Sequence, residues 1–203
     1  MKLHWSPRSP FVRKVMIVAH ERGLVDRIAC VRTVAAIAKP HAELMRDNPL
    51  SKIPTLVDDD GRVLYDSRVI CDYLDTLGDA PALLPRADAA RFEALRRQAL
   101  GDGFLDLLVL ARNERDRAHP SDAHRQSATV RTAAILDSLE REAGALAAAP
   151  FDIGHIAVGV ALCYLDFRFA ADDWRRAHHA LAAWHAAFAL RPSVRATAFV
   201  DDS

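Results

Sequence analysis

Lys52, Ile53, Asp66 and Ser67 fall within one short stretch, Asn48 to Leu74, NPLSKIPTLVDDDGRVLYDSRVICDYL. Asn48 and Pro49 open it with a turn, and Pro54 edges the short apolar run Thr55 to Val57, as proline does at a strand border. Asp58 to Gly61 is a hairpin turn with glycine free to take positive φ, Val63 to Tyr65 returns as a strand, and Asp66 and Ser67 cap a helix. An Ile53-Pro54 bond is cheap to hold cis, about 0.5–1 kcal/mol above trans, and a cis bond turns the Ile53 backbone outward. A helix N-terminus at Ser67 beside that exposed backbone suits a carboxylate carried on a peptide. The chemistry implied is the holding of a small anionic peptide. A second hydroxyl, Ser9, is followed by Pro10 where a helix begins, which is serine as N-cap and proline at the first helical position.

These residues also carry a resemblance. NPxxKIPxL, the DDG hairpin, the Asp-Ser pair and the ICDYL helix resemble the N-terminal domain of the glutathione S-transferase superfamily. SPFVRKV (Ser9 to Val15) is similar to the first-helix motif of a bacterial branch of that superfamily, DGFLD (Asp102 to Asp106) to its fourth helix, and RPSVRAT (Arg191 to Thr197) to its last. The resemblance implies that Asp66 and Ser67 hold the γ-glutamyl end of glutathione, that the Ile53 backbone pairs with its cysteinyl unit, and that Lys52 meets its glycine carboxylate. It places the thiol-activating residue at Ser9, with Ser6 as the competing hydroxyl three positions earlier. A hydroxyl at a helix N-terminus can donate to sulfur while the helix dipole favours the thiolate. A serine rather than a cysteine there argues for conjugation, because a hydroxyl cannot attack a disulfide.

The activity so implied is a glutathione transferase, with glutathione as co-substrate and a small apolar electrophile as the second substrate, a chemistry of detoxification. The alternative from another class is a non-catalytic interaction or chaperone protein of the same shape; a scaffold has no need of the whole peptide-binding set. The resemblance also implies a homodimer, with Asp102 near the subunit boundary. The other reading of Asp102 and Asp106, four apart on one helix face, is a solvated surface. Ser51 departs from the family, which often has glycine at this position.

Around this site the chain must supply two scaffolds. Met1 to Trp5 reads as a strand, Phe11 to Ala19 as a helix ended by Gly23, Ile28 to Val31 as a buried strand, and Pro40 to about Met45 as a short helix. With the hairpin and the Ser67 helix the order is βαβαββα, a thioredoxin-like α/β domain with a mixed sheet. Residues 1–77 form that domain, 78–87 a linker rich in Gly, Ala and Pro, and 88–203 an all-α helical bundle. Ile153 to Leu165, apolar nearly all round, is its central helix. Asp152 is its N-cap, weakened because His155 stands where the family has an acidic residue.

In the 203 residues Lys plus Arg and Asp plus Glu number 27 each, which gives no electrostatic case for nucleic acid or an anionic membrane. No signal-type segment or membrane span is read, so a cytoplasmic protein is expected. Cys30, Cys71 and Cys163 are read as buried free thiols. His178, His179 and His185 lack zinc-site spacing and DDDG lacks the downstream glutamate of a calcium loop, so no metal is expected.

Overall fold

A computed structural model describes residues 1–36 and 39–202. The chain divides into two compact units, Met1–Arg86 with Pro192–Ser203, and Ala87–Arg191.

The first unit follows the order β1 (Lys2–Trp5), α1 (Pro10–Glu21), β2 (Ala29–Arg32), α2 (Ala42–Asp47), β3 (Thr55–Val57), β4 (Val63–Leu64) and α3 (Ser67–Leu77). The sheet is mixed, in the order β2-β1-β3-β4. β1 runs parallel to β2, with Leu3 opposite Cys30, and antiparallel to β3, with Leu3 opposite Leu56. Leu3 and Leu56 are fully buried, as are Val15, Ile17 and Val18 of α1 and Ile70 and Leu74 of α3, so the core lies where the two helices cover one sheet face. α1 ends because Gly23 takes φ +68. There the Gly23 N–H donates to the His20 carbonyl at 3.1 Å and the Leu24 N–H to the Ala19 carbonyl at 2.8 Å. This paired closure is the Schellman stop that glycine makes cheap.

β2 differs from the buried strand expected. All four of its residues are exposed, and β2 lies at an edge of the sheet. The thiols differ too: Cys71 is buried, but Cys30 is exposed and Cys163 half-buried, and none of the three is in a disulfide. The span after α3 is folded back rather than loose. Leu83 and Leu84 are buried, and their N–H groups donate to the Asp75 carboxylate at 2.8 and 3.0 Å. Asp75 in turn pairs with buried Arg22, Nε to Oδ1 at 3.2 Å.

The end of the chain, expected in the helical half, groups with the first unit. A short helix, Pro192–Ala196, is tied to α1: Arg13 donates to the Val194 carbonyl at 3.1 Å, and its guanidinium lies 4.4 Å from the centre of the Phe199 ring. Such contacts join residues far apart in sequence, where no periodicity can reveal them.

The second unit is helical: α4 (Asp88–Arg115), α5 (Asp122–Ala148), α6 (Ile153–Arg168) and α7 (His179–Ala189), with a 3-10 turn at Trp174–Arg176. α6 is buried over nearly its whole circumference, as expected of a central helix. It packs backbone-close on α4: a Cβ added at Gly101 would lie 2.5 Å from the Ala157 carbonyl carbon. The cap of α6 is stronger than expected. His155 N–H donates to Asp152 Oδ1 at 3.0 Å, and Asp152 N–H donates back to His155 Nδ1 at 3.2 Å. Histidine thus completes the capping box in place of an acid.

Candidate functional site

The strand register decides which residues meet. His4 pairs with Thr55, so the loop leaving β1 lies at the end of the sheet where β3 begins. Leu56 pairs with Leu64, so Tyr65, Asp66 and Ser67 leave β4 at that same end. Ser9, Lys52, Ile53, Asp66 and Ser67 are therefore gathered at one end of the sheet, together with the N-termini of α1 and α3. Two helix starts there turn the positive ends of two dipoles toward any anion bound at this end.

Ser9 is the N-cap of α1. Its backbone is extended, and its Oγ accepts from the Val12 N–H at 3.3 Å. Accepting leaves the hydroxyl proton available to another acceptor. Ser6 is 6% exposed and accepts from the Arg8 N–H at 3.4 Å, whereas Ser9 is half-buried. The loop between them is pinned by the chain's end: Arg8 Nε lies 3.0 Å from Asp202 Oδ1, and the Val200 N–H donates to the Pro7 carbonyl at 3.4 Å.

The Lys52–Pro54 segment is held from beneath. Buried Asn48 donates to the Lys52 carbonyl at 3.2 Å and to Thr55 Oγ1 at 2.9 Å, and the Thr55 hydroxyl donates to the Lys52 carbonyl at 2.8 Å. Ile53-Pro54 is cis, Ile53 is half-buried, and the Lys52 side chain is exposed. Ser51 adopts φ +51, a conformation costing an L-residue roughly 1–2 kcal/mol. Its Oγ accepts from the His41 N–H at 2.9 Å, an interaction glycine lacks.

At α3 the capping role is split differently from the sequence reading. Asp66 is the N-cap, accepting from the Arg68 N–H at 2.9 Å, and Ser67 is the first helical residue, 2% exposed. Asp66 is exposed, and the Tyr65-Asp66 peptide is cis, a feature the residue types did not signal. The positioning contacts of Asn48, Arg8 and Arg13 were also unread, although Asn48 opens the NPxxKIPxL motif.

Asp102 lies in the second unit, on α4, and is 2% exposed, while Asp106 is exposed. A fully solvated face does not fit a carboxylate so enclosed. Among the described residues no group of three or more His, Cys, Asp or Glu is placed to hold a metal ion, and no helix is long and apolar enough to cross a membrane.

A βαβαββα sheet domain with this site, joined to a helical unit, defines a glutathione-transferase-like protein, and the chain belongs to the glutathione S-transferase superfamily. Residues 8–77 match the family model for the glutathione S-transferase N-terminal domain. A solved glutathione transferase family member from Pseudomonas fluorescens Pf-5, crystallised with bound glutathione, is 42% identical and superposes with a TM-score of 0.94 over 98% of this chain and 99% of that one. The uncharacterized GST-like protein YibF of Escherichia coli K12 is 32% identical over 180 residues, 86% of each chain. A stringent starvation protein A homolog of Coxiella burnetii is 38% identical over 91 residues, 45% of this chain and 41% of that protein.

Proposed function

We propose that this protein is a glutathione transferase, conjugating the glutathione thiolate to a small apolar electrophile. The observation that carries the reading is the convergence of Ser9, Lys52, Ile53, Asp66 and Ser67 at one end of the sheet, in a chain similar to a family member crystallised with glutathione. The exposed Asp66 carboxylate accepts from the γ-glutamyl amine, and Ser67 with the first turn of α3 holds the γ-glutamyl carboxylate. The Ile53 backbone pairs with the cysteinyl unit, and Lys52 meets the glycine carboxylate. Ser9 keeps its cap and turns its hydroxyl proton to the sulfur.

A thiol of pKa about 8.5 is only a few per cent ionised at neutral pH. Lowering it by two units takes about 2.7 kcal/mol, within reach of one charge-assisted hydrogen bond plus a helix terminus. The thiolate then attacks the electrophile, forming the C–S bond as the leaving group departs. The protein acts as a cytoplasmic homodimer, which light scattering of the purified chain tests; a monomer at micromolar concentration contradicts it.

One observation favours a non-catalytic interaction protein instead: 45% of the chain is similar to a protein named for stringent starvation rather than for transfer. Calorimetric titration with glutathione, followed by turnover with a generic aryl halide, separates the two. Saturable binding with turnover supports the transferase. Binding undetectable at millimolar glutathione supports the interaction protein.

A further inference from the structure

The second unit holds a thiol cluster that conjugation in the first unit does not use. Cys163 on α6 is half-buried, and its Sγ lies 3.3 Å from His185 Nε2 on α7. The other ring nitrogen, Nδ1, faces Arg175 Nη2 at 3.3 Å, with Asp166 Oδ2 farther off at 3.9 Å. A guanidinium has only donors, so Arg175 makes Nδ1 an acceptor and leaves the ring proton on Nε2, directed at the sulfur.

Arg175 is itself fixed. It grips Asp166 with two hydrogen bonds, 2.7 and 2.5 Å, and Asp166 also accepts from Trp174 Nε1 at 2.9 Å. Burial alone raises the Asp166 carboxyl, but the Arg175 and Trp174 donors outweigh it and hold it below the usual range. The His185 ring is 4% exposed, stacked on Phe188 at 6.1 Å and met edge-on by Trp174 at 5.8 Å. Arg175 and Asp166 are charged groups near the sulfur, and Asp173 acts on Arg175. An N–H donor backed by a cation is the setting that favours a thiolate.

We infer that Cys163 is a reactive thiol site that exchanges with small disulfides and carries the resulting mixed disulfide. The thiol proton leaves to solvent, and the thiolate, steadied by His185 Nε2–H, attacks one sulfur of the disulfide. A Cys163 S–S bond forms, the disulfide's own S–S bond breaks, and its second sulfur departs as a thiolate that takes up a proton. The incoming disulfide is the oxidant. Cys30 is the internal contrast: it is exposed, yet partial burial of its thiol pushes it up, and its Sγ lies 3.9 Å from Met16 Sδ, with no charged donor beside it among the described residues.

Dithiodipyridine, a neutral disulfide with no glutathione portion, tests this independently of the first-unit site. With the full chain near neutral pH, thiopyridone release should show one fast phase, about tenfold or more above the rest, lost in Cys163→Ser and mapped by mass spectrometry to the Cys163 peptide. His185→Phe keeps the ring packing and removes the donor, and should slow that phase about tenfold. Arg175→Gln, a change at an exposed side chain, should slow it by a smaller factor while leaving the melting temperature in place. Labelling of Cys163 no faster than Cys30, or a fast phase unchanged in both Arg175→Gln and a folded His185→Phe, overturns the inference.

Discussion

Two α-helices among the described residues are N-capped by an aspartate, and the two caps sit in different surroundings. Asp66 opens α3 and Asp152 opens α6, each accepting from a first-turn N–H, at 2.9 and 3.0 Å. Asp152 is 7% exposed and its partner His155 3%, with His155 Nε2 donating to the Leu146 carbonyl at 3.0 Å, so this start is enclosed and its polar groups are matched. Asp66 is exposed, beside a buried Ser67, at the sheet end where Ser9 and Lys52 also lie. The same residue type at the same helical position is enclosed in one cap and open to solvent in the other. Burial, which residue identity does not fix, makes the difference.

Removing each aspartate should therefore separate stability from binding. The largest effect is expected for Asp152→Ala, which loses a cap and leaves buried donors unmatched: about 2–4 kcal/mol of unfolding free energy, read by urea denaturation. A loss below about 1 kcal/mol would show that the enclosed cap is not a structural requirement. Asp66→Ala should reverse the pattern. Glutathione binding should weaken by roughly 1.5–3 kcal/mol in calorimetry, while stability falls by about 1 kcal/mol or less, because water replaces an exposed cap. Unchanged affinity would remove Asp66 from the site.

A third helix start gives the smallest effect. His178 sits at the cap position of α7, with Nδ1 2.7 Å from the Trp174 carbonyl and Nε2 3.0 Å from Asp137 Oδ1. Both partners only accept, so both nitrogens donate when the ring is protonated. Burial works against that charge, but the Trp174 carbonyl and the Asp137 carboxylate outweigh it, and the His178 pKa is raised. A raised folded value means the stabilisation is complete below the unfolded pKa of about 6.5 and is lost as pH rises through the folded value. The melting-temperature gap between wild type and His178→Gln should accordingly be widest in mild acid and narrow above neutrality. A gap independent of pH would contradict this.

The sequence carried the βαβαββα order because its signals are local: Ser9-Pro10, Gly23, Gly61 and the Asp-Ser helix start each act within a turn of chain. The proposed site residues are local for the same reason, since all but Ser9 lie in one motif. What escaped it depends on distance or on the sheet's edges. An apolar run such as Ile28 to Val31 does not reveal whether its strand is central or at an edge, and β2 is at the edge. The return of the chain's end to α1 rests on Arg13 meeting Val194 and Phe199, and the Cys163–His185 pair bridges two helices. Which of Asp66 and Ser67 is the cap depends on backbone angles that either residue type accommodates.

Thiolate absorbance of bound glutathione tests the central claim, that Ser9 at the start of α1 activates the thiol, most directly. Titrated against pH in the wild-type complex, the thiol should ionise below its free value of about 8.5. In Ser9→Ala it should move back toward that value, with affinity at low pH nearly kept and aryl halide turnover at neutral pH reduced about ten- to a hundredfold, as loss of a charge-assisted hydrogen bond implies. Ser6→Ala with melting curves for both variants controls for cap loss. A titration unmoved in Ser9→Ala but shifted in Ser6→Ala would contradict the assignment and give Ser6 the role, and one unmoved in both would leave activation to the α1 backbone alone.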